Sequence, residues 1–94
     1  QDLKRDVAIW TSALIIVEDG SFDISEQEIF KGMFGQKTLN NLKTFLSGHN
    51  STASAKDSVH RKLESAKTEL YHAIPSSFDS ELESLESKIK LSYN

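Results

Sequence analysis

The chain has 94 residues, 37% of them hydrophobic and 27% charged, with a formal net charge of −3 and no cysteine. Without cysteine, the chain can form no disulfide, thiolate zinc site or cysteine nucleophile. The lysines and arginines are scattered among acids, which argues against binding to nucleic acid. No apolar stretch approaches the roughly 20 residues that span a bilayer, so we expect no transmembrane segment. The length predicts a single domain, residues 1–94.

The first segment predicts a long amphipathic helix over about residues 2–17. Apolar residues recur there at alternating spacings of four and three, and further apolar residues widen the arc beyond a single seam. We therefore expect this helix to be the central and most buried element. Gly20, in the turn that follows, is suited to a left-handed conformation.

A second helix is predicted to begin at Ser25. Ser25 is a good N-cap, Glu28 can complete a capping box, and Ile24 and Ile29 are placed as a hydrophobic staple. Glycines on either side of Phe34 predict that this helix ends near that residue.

The rest of the chain predicts three further helices. The third spans about residues 38–46, is stopped by Gly48 and is followed by a polar loop over residues 47–53. The fourth begins near Ser54 and ends before Pro75, and the apolar stripe resumes at Phe78. Two long helices joined by so short a turn lie antiparallel. The sequence therefore predicts an all-α fold, a small bundle of four to five helices with a C-terminal antiparallel helical hairpin.

No motif of catalysis or cofactor binding is present. His49, His60 and His72 are the candidate bases or metal ligands near neutral pH, but none is spaced three or four residues from another on one helix. The serines match neither a nucleophile elbow nor a phosphate-binding loop. We therefore predict a protein that is not an enzyme and has no cofactor and no metal site.

The segment from Asp19 to Glu26 matches the second half of a calcium-binding EF-hand loop. Its glycine and acids fall at the required positions, but the first half of such a loop would place Ile15 and Val17 at ligand positions. A calcium-responsive regulator is therefore only the third functional alternative. The same Asp-Gly turn resembles tellurite-resistance B-like helical domains over about residues 15–29, a stretch too short to carry a function across.

The first half of the chain has more large apolar residues than one helix stripe requires. We interpret the excess as a surface that binds a protein partner or a second copy of the chain, since exposed apolar patches and aromatic residues are typical of interfaces. The alternative is a carrier that holds a lipid or another small hydrophobic ligand between its helices. A further interpretation is that all these residues, Trp10 above all, belong to the hydrophobic core. The candidate binding residues are Trp10, Ile16, Phe22, Phe30 and Phe34.

Asn50 is a candidate glycosylation site, because Asn50-Ser51-Thr52 matches the acceptor pattern within the most loop-like stretch. This pattern and the start at Gln1 instead of Met fit a secreted protein. The absence of disulfides is more usual in a reducing compartment. The sequence leaves secreted and cytoplasmic locations open.

Overall fold

The computed structural model describes residues 2–20 and 22–93, and within these ranges the chain forms five helices and no strand. The predicted all-α bundle is thus confirmed. In chain order the helices are α1 (Leu3–Asp19), α2 (Ile24–Phe34), α3 (Gln36–Ser47), α4 (Thr52–Ala73) and α5 (Phe78–Ser92).

Helix α1 is the central helix, as its wide apolar arc predicts. No residue from Asp6 to Val17 is exposed, so the neighbouring helices cover this helix on every side over three turns. Several of its most buried residues are small, which lets the neighbouring backbones approach closely. The buried residues of α1 are Val7, Ala8, Thr11, Ser12, Ala13, Ile16 and Val17.

Two ion pairs at the ends of α1 show the directions of the two long neighbouring helices, α4 and α5, relative to α1. Near its C-terminus, Glu18 lies 3.7 Å from Lys56 in the early part of α4. Near its N-terminus, Lys4 lies 2.6 Å from Glu81 in the first turn of α5. Helix α1 is therefore antiparallel to α4 and parallel to α5. These pairs are exposed and contribute little to stability, but they report the topology.

Helices α4 and α5 form the predicted antiparallel hairpin. Helix α4 ends at Ala73, two residues before Pro75, because proline cannot supply the amide hydrogen that a further turn needs. Across the turn the ring of Tyr71 meets that of Phe78 edge-on at 5.4 Å between centroids. Further from the turn, Lys67 of α4 and Glu86 of α5 lie 3.8 Å apart.

The core consists of two clusters that meet at α1. Trp10 and Leu14 of α1 pack against both clusters and so join them. The first cluster lies between α1, α2, α3 and the start of α4, and the second lies between α1 and the rest of α4, with α5 packed against it. The first contains Ala13, Ile16, Val17, Phe30, Leu39, Leu42, Ala55 and Val59, and the second contains Val7, Leu63, Ala66 and Leu70.

Helices α2 and α3 are joined by a single residue, Gly35. Its φ of 92° lies in the region that favours glycine, so the chain can turn there without a longer loop. The guanidinium of Arg5 in α1 hydrogen-bonds to residues on both sides of this turn. Its Nη2 donates to the carbonyl of Phe34 at 2.9 Å and to Oγ1 of Thr38 at 3.1 Å.

The predicted start of α2 at Ser25 is wrong. The N-cap is Asp23, whose carboxylate accepts from the backbone N–H of Glu26, while the Glu26 carboxylate accepts from that of Asp23. Both Asp23 to Glu26 and Ser25 to Glu28 fit the capping-box spacing, so the pattern alone cannot choose between them. The predicted staple is also absent, because Ile24 is 76% exposed. The predicted end near Phe34 is correct.

Helices α3 and α4 begin earlier than predicted. Helix α3 starts directly after Gly35 instead of at residue 38, and Gly48 ends it as predicted. Helix α4 is capped by Ser51, whose hydroxyl accepts from the backbone N–H of Ser54 at 3.1 Å. Ser54, predicted as the start, is therefore already inside the helix. The connection between α3 and α4 shortens to residues 48–51.

The N-cap of α4 gives a first testable expectation. Ser51→Ala removes the side-chain acceptor for an N–H that has no partner in the helix, and is expected to cost about 1 kcal/mol of unfolding free energy. Ser54→Ala, at an exposed position of the same turn, is expected to change it by less than about 0.5 kcal/mol. Urea unfolding followed by circular dichroism measures both variants. Equal losses of unfolding free energy in the two variants would contradict the assignment of the cap to Ser51.

Candidate functional site

A groove of about 330 Å³ opens at the end of the bundle, where the last turns of α1 and α3 meet the start of α4. The groove has an apolar surface bordered by polar groups from the short connection between α3 and α4. The apolar residues are Ile16, Val17, Phe22, Leu46 and Ala55, and the others are Gly20, His49, Asn50, Ser51 and Thr52.

His49 fixes one wall of this groove. Its Nδ1 lies 2.9 Å from the carbonyl oxygen of Phe45, and its Nε2 lies 2.9 Å from Oγ of Ser58. A carbonyl only accepts, so Nδ1 carries the proton, and in the neutral ring Nε2 accepts from the Ser58 hydroxyl. The imidazole also packs on the Phe45 ring at 5.0 Å, and that ring meets Trp10 edge-on at 5.1 Å. The contacts thus link α1, α3 and α4.

The serine and histidine in this link have the spacing of a nucleophile and a general base. Ser58, however, does not line the groove, so a substrate bound there would not meet its hydroxyl. We therefore assign the contact between His49 and Ser58 a structural role.

The structure separates the five candidate binding residues. Ile16 and Phe22 lie together in the groove, although Ile16 is only 1% exposed. Trp10 is partly buried against Phe45, outside the residues that line the groove. Phe30 is completely buried in the first core cluster, so it offers no surface to a partner. Phe34 is partly buried, with its ring 4.8 Å from that of Phe30.

Asn50, the candidate glycosylation site, is exposed in the bend between α3 and α4 and lines the groove. Its neighbour Ser51 is engaged as the cap of α4, whereas Thr52 is exposed at the first helical position. A sugar chain attached to Asn50 would therefore stand at the mouth of the groove.

The turn from Asp19 to Glu26 joins α1 to α2 as a capped corner. Gly20 has the left-handed conformation predicted for it, with φ 85°, and its N–H donates to the carbonyl of Val17. Within residues 2–20 and 22–93, no three acidic, histidine or cysteine side chains are placed so that they could hold a metal ion. The described residues thus give the calcium-responsive alternative no support.

Glu26 is the titratable group most affected by this corner. Burial raises its pKa above the ordinary value of 4.5, and the charges of Asp23 and Asp19 raise it further, while the bond from the Asp23 N–H opposes the shift. Folding therefore favours the protonated form of Glu26 over the ionised form.

The stability of the chain is expected to depend on pH through Glu26. A pKa raised in the folded state means that its contribution is fully present below about pH 4.5 and is lost as the pH rises through the folded value. Glu26→Gln keeps the capping geometry but cannot ionise, so it is expected to remove this loss and to be the more stable protein at pH 7. Urea unfolding between about pH 4 and pH 7 measures the difference. Glu28→Gln, at an exposed position of the same helix, is the control. If the unfolding free energies of the native chain and of Glu26→Gln changed in parallel with pH, the expectation would be refuted.

Sequence reasoning missed most residues of the groove. Leu46 and Ala55 belong to apolar helix stripes, which by themselves indicate only that a residue is buried. His49 falls within the predicted polar loop, and its contact with Ser58 depends on the packing of α4, which the sequence pattern does not show. A usable signal was the small polar cluster at residues 50–52 between two apolar stripes, which marks the place where two helix ends meet.

Comparison with known proteins gives no match. No protein-family model matches the chain, and neither the curated proteins nor the solved structures contain one that does. None of the five helices described is long and apolar enough to cross a membrane.

Proposed function

We propose that this chain is a non-enzymatic helical interaction domain that binds an apolar segment of a protein partner in the groove between α1, α3 and α4. One observation supports the proposal most: partly exposed apolar side chains and exposed hydrogen-bonding groups line the same open groove. Apolar surface beside exposed polar groups is usual in protein interfaces.

The described residues suggest how a partner would be held. Phe22 and Leu46, both partly exposed, offer apolar surface to one or two side chains of the partner, above the buried Ile16. The side chains of Asn50 and Thr52 line the groove and are exposed, so they can hydrogen-bond to the partner backbone. The groove is too small for a whole helix face, so we expect one anchoring side chain to carry most of the affinity.

A carrier of a lipid or another small hydrophobic ligand is the alternative. The groove volume of about 330 Å³ lies at the lower end of the range of about 300–1,000 Å³ that is usual for small-molecule sites. Against this alternative, Phe30 and Ile16, the largest side chains that the bundle buries completely, have almost no exposed surface. A ligand would therefore lie in the open groove instead of inside the bundle.

The proposal is tested with a matched pair of variants. Thr52→Trp places a large ring at the groove, and Ser54→Trp places the same ring in the same helical turn but away from it. Both positions are exposed, so both variants are expected to fold. Made in a bacterial host, where the acceptor pattern at Asn50 plays no part, the two proteins serve as baits in quantitative capture from the source organism.

We expect a partner that the native chain and Ser54→Trp retain and that Thr52→Trp binds at least about tenfold less. Equal capture by both variants would show that the groove is not the binding surface.

Native mass spectrometry of the purified chain tests the alternative that the chain carries a small hydrophobic ligand. A mass excess that matches a fatty acid or similar molecule, absent from Thr52→Trp, would replace the proposed protein partner with a small ligand.

A further inference from the structure

The acceptor pattern at Asn50 occupies the bend between α3 and α4 and the first residue of α4. Such a pattern requires an asparagine followed two positions later by a serine or threonine, with any residue except proline between them. Asn40 and Asn41 are followed at that distance by Leu42 and Lys43. Within the described residues, Asn50 is therefore the asparagine that can act as an acceptor.

The fold leaves both functional residues of this pattern accessible. Asn50 and Thr52 are exposed, and neither side chain makes a hydrogen bond within residues 2–20 and 22–93. The fold uses only the residue between them, because the Ser51 hydroxyl accepts from the backbone N–H of Ser54. A sugar on Asn50 would therefore displace no side-chain contact of the folded chain.

Folding also brings apolar surface to Asn50 from two other elements. Phe22, from the turn between α1 and α2, and Leu46, from the last turn of α3, line the groove together with Asn50. Both side chains are partly exposed. An N-linked glycan is bulky and solubilising, so its inner sugars are suited to shield such a surface from water.

We propose that Asn50 carries an N-linked glycan whose inner sugars cover the apolar surface of the groove. Covering the groove would regulate the binding of a partner there, and this consequence alone rests on the proposed function. The attachment and the position of the glycan do not depend on it.

The attachment is a group transfer from a lipid-diphosphate-linked oligosaccharide. A bond forms between Nδ2 of Asn50 and C1 of the first N-acetylglucosamine, and the bond from C1 to the diphosphate oxygen breaks. The lipid diphosphate leaves with the electron pair of that bond, and Nδ2 releases one proton to the solvent. A transferase of the secretory pathway catalyses this transfer, so a chain that carries the glycan has entered that pathway.

The attachment is tested on the chain purified from the source organism. Its intact mass is expected to fall by that of one oligosaccharide on treatment with peptide N-glycosidase, which leaves aspartate at position 50. An unmodified Asn50 in this protein would overturn the proposal. In a eukaryotic secretory host, Thr52→Ala is expected to lose the glycan, whereas Thr52→Ser and Ser51→Ala keep it. A glycan that persisted in Thr52→Ala would lie elsewhere and would also overturn the proposal.

The position of the glycan is tested by NMR of the isotope-labelled chain from that host, compared with Asn50→Gln from the same host. The glycan is expected to shift the signals of Phe22 and Leu46 in addition to those of residues 49–53. The same comparison between proteins from a bacterial host gives the effect of the substitution alone. Shifts confined to residues 49–53 would show a glycan that points into solvent, and would overturn the covering of the groove.

These results are separable from those of the proposed function. The capture experiment with Thr52→Trp and Ser54→Trp uses bacterial proteins, which carry no glycan at Asn50. Its failure would remove the partner from the groove and leave the mass and NMR results on the glycan intact. A missing glycan would likewise leave the captured partner in place.

Discussion

The whole structure depends on the burial of α1. A helix with no exposed residue over twelve consecutive positions has to be covered on every side, and a 94-residue chain has few elements with which to do it. Long neighbours, α4 and α5, flank it along its length, and the short α2 and α3 close the remaining side. The two core clusters exist because α1 faces both groups of helices at once.

The ends of the helices and not their middles define the candidate sites. Helices α1 and α3 stop at almost the same level as α4 begins, and their final turns leave the groove between them. A second depression arises in a similar way from the end of α1, the start of α2 and the end of α5. Helix packing buries the apolar stripes along the bundle, while polar side chains such as those of Asn50 and Thr52 remain exposed at the helix ends.

Periodicity predicted the helices well because a spacing of three and four residues directly reflects burial on one face. It could not place the caps, since Asp23 and Ser25 both stand three residues before a glutamate, and the choice depends on which backbone is extended. Nor could periodicity show which aromatic residues are exposed and which are buried in the core. Phe22 and Phe30 look alike in sequence, yet one lines the groove and the other is sealed in the core, because that difference is set by the corner at Gly20 and the packing of α2.

The link between His49 and Ser58 has a kinetic consequence. It ties the short connection of residues 48–51 to the side of α4, so the wall of the groove is already in position before anything binds. A molecule that bound in the groove would meet a wall that these contacts already order, so less conformational entropy would be lost from this side of the encounter. Association with such a surface is governed by diffusion and orientation, so related partners would differ mainly in how long they stay bound.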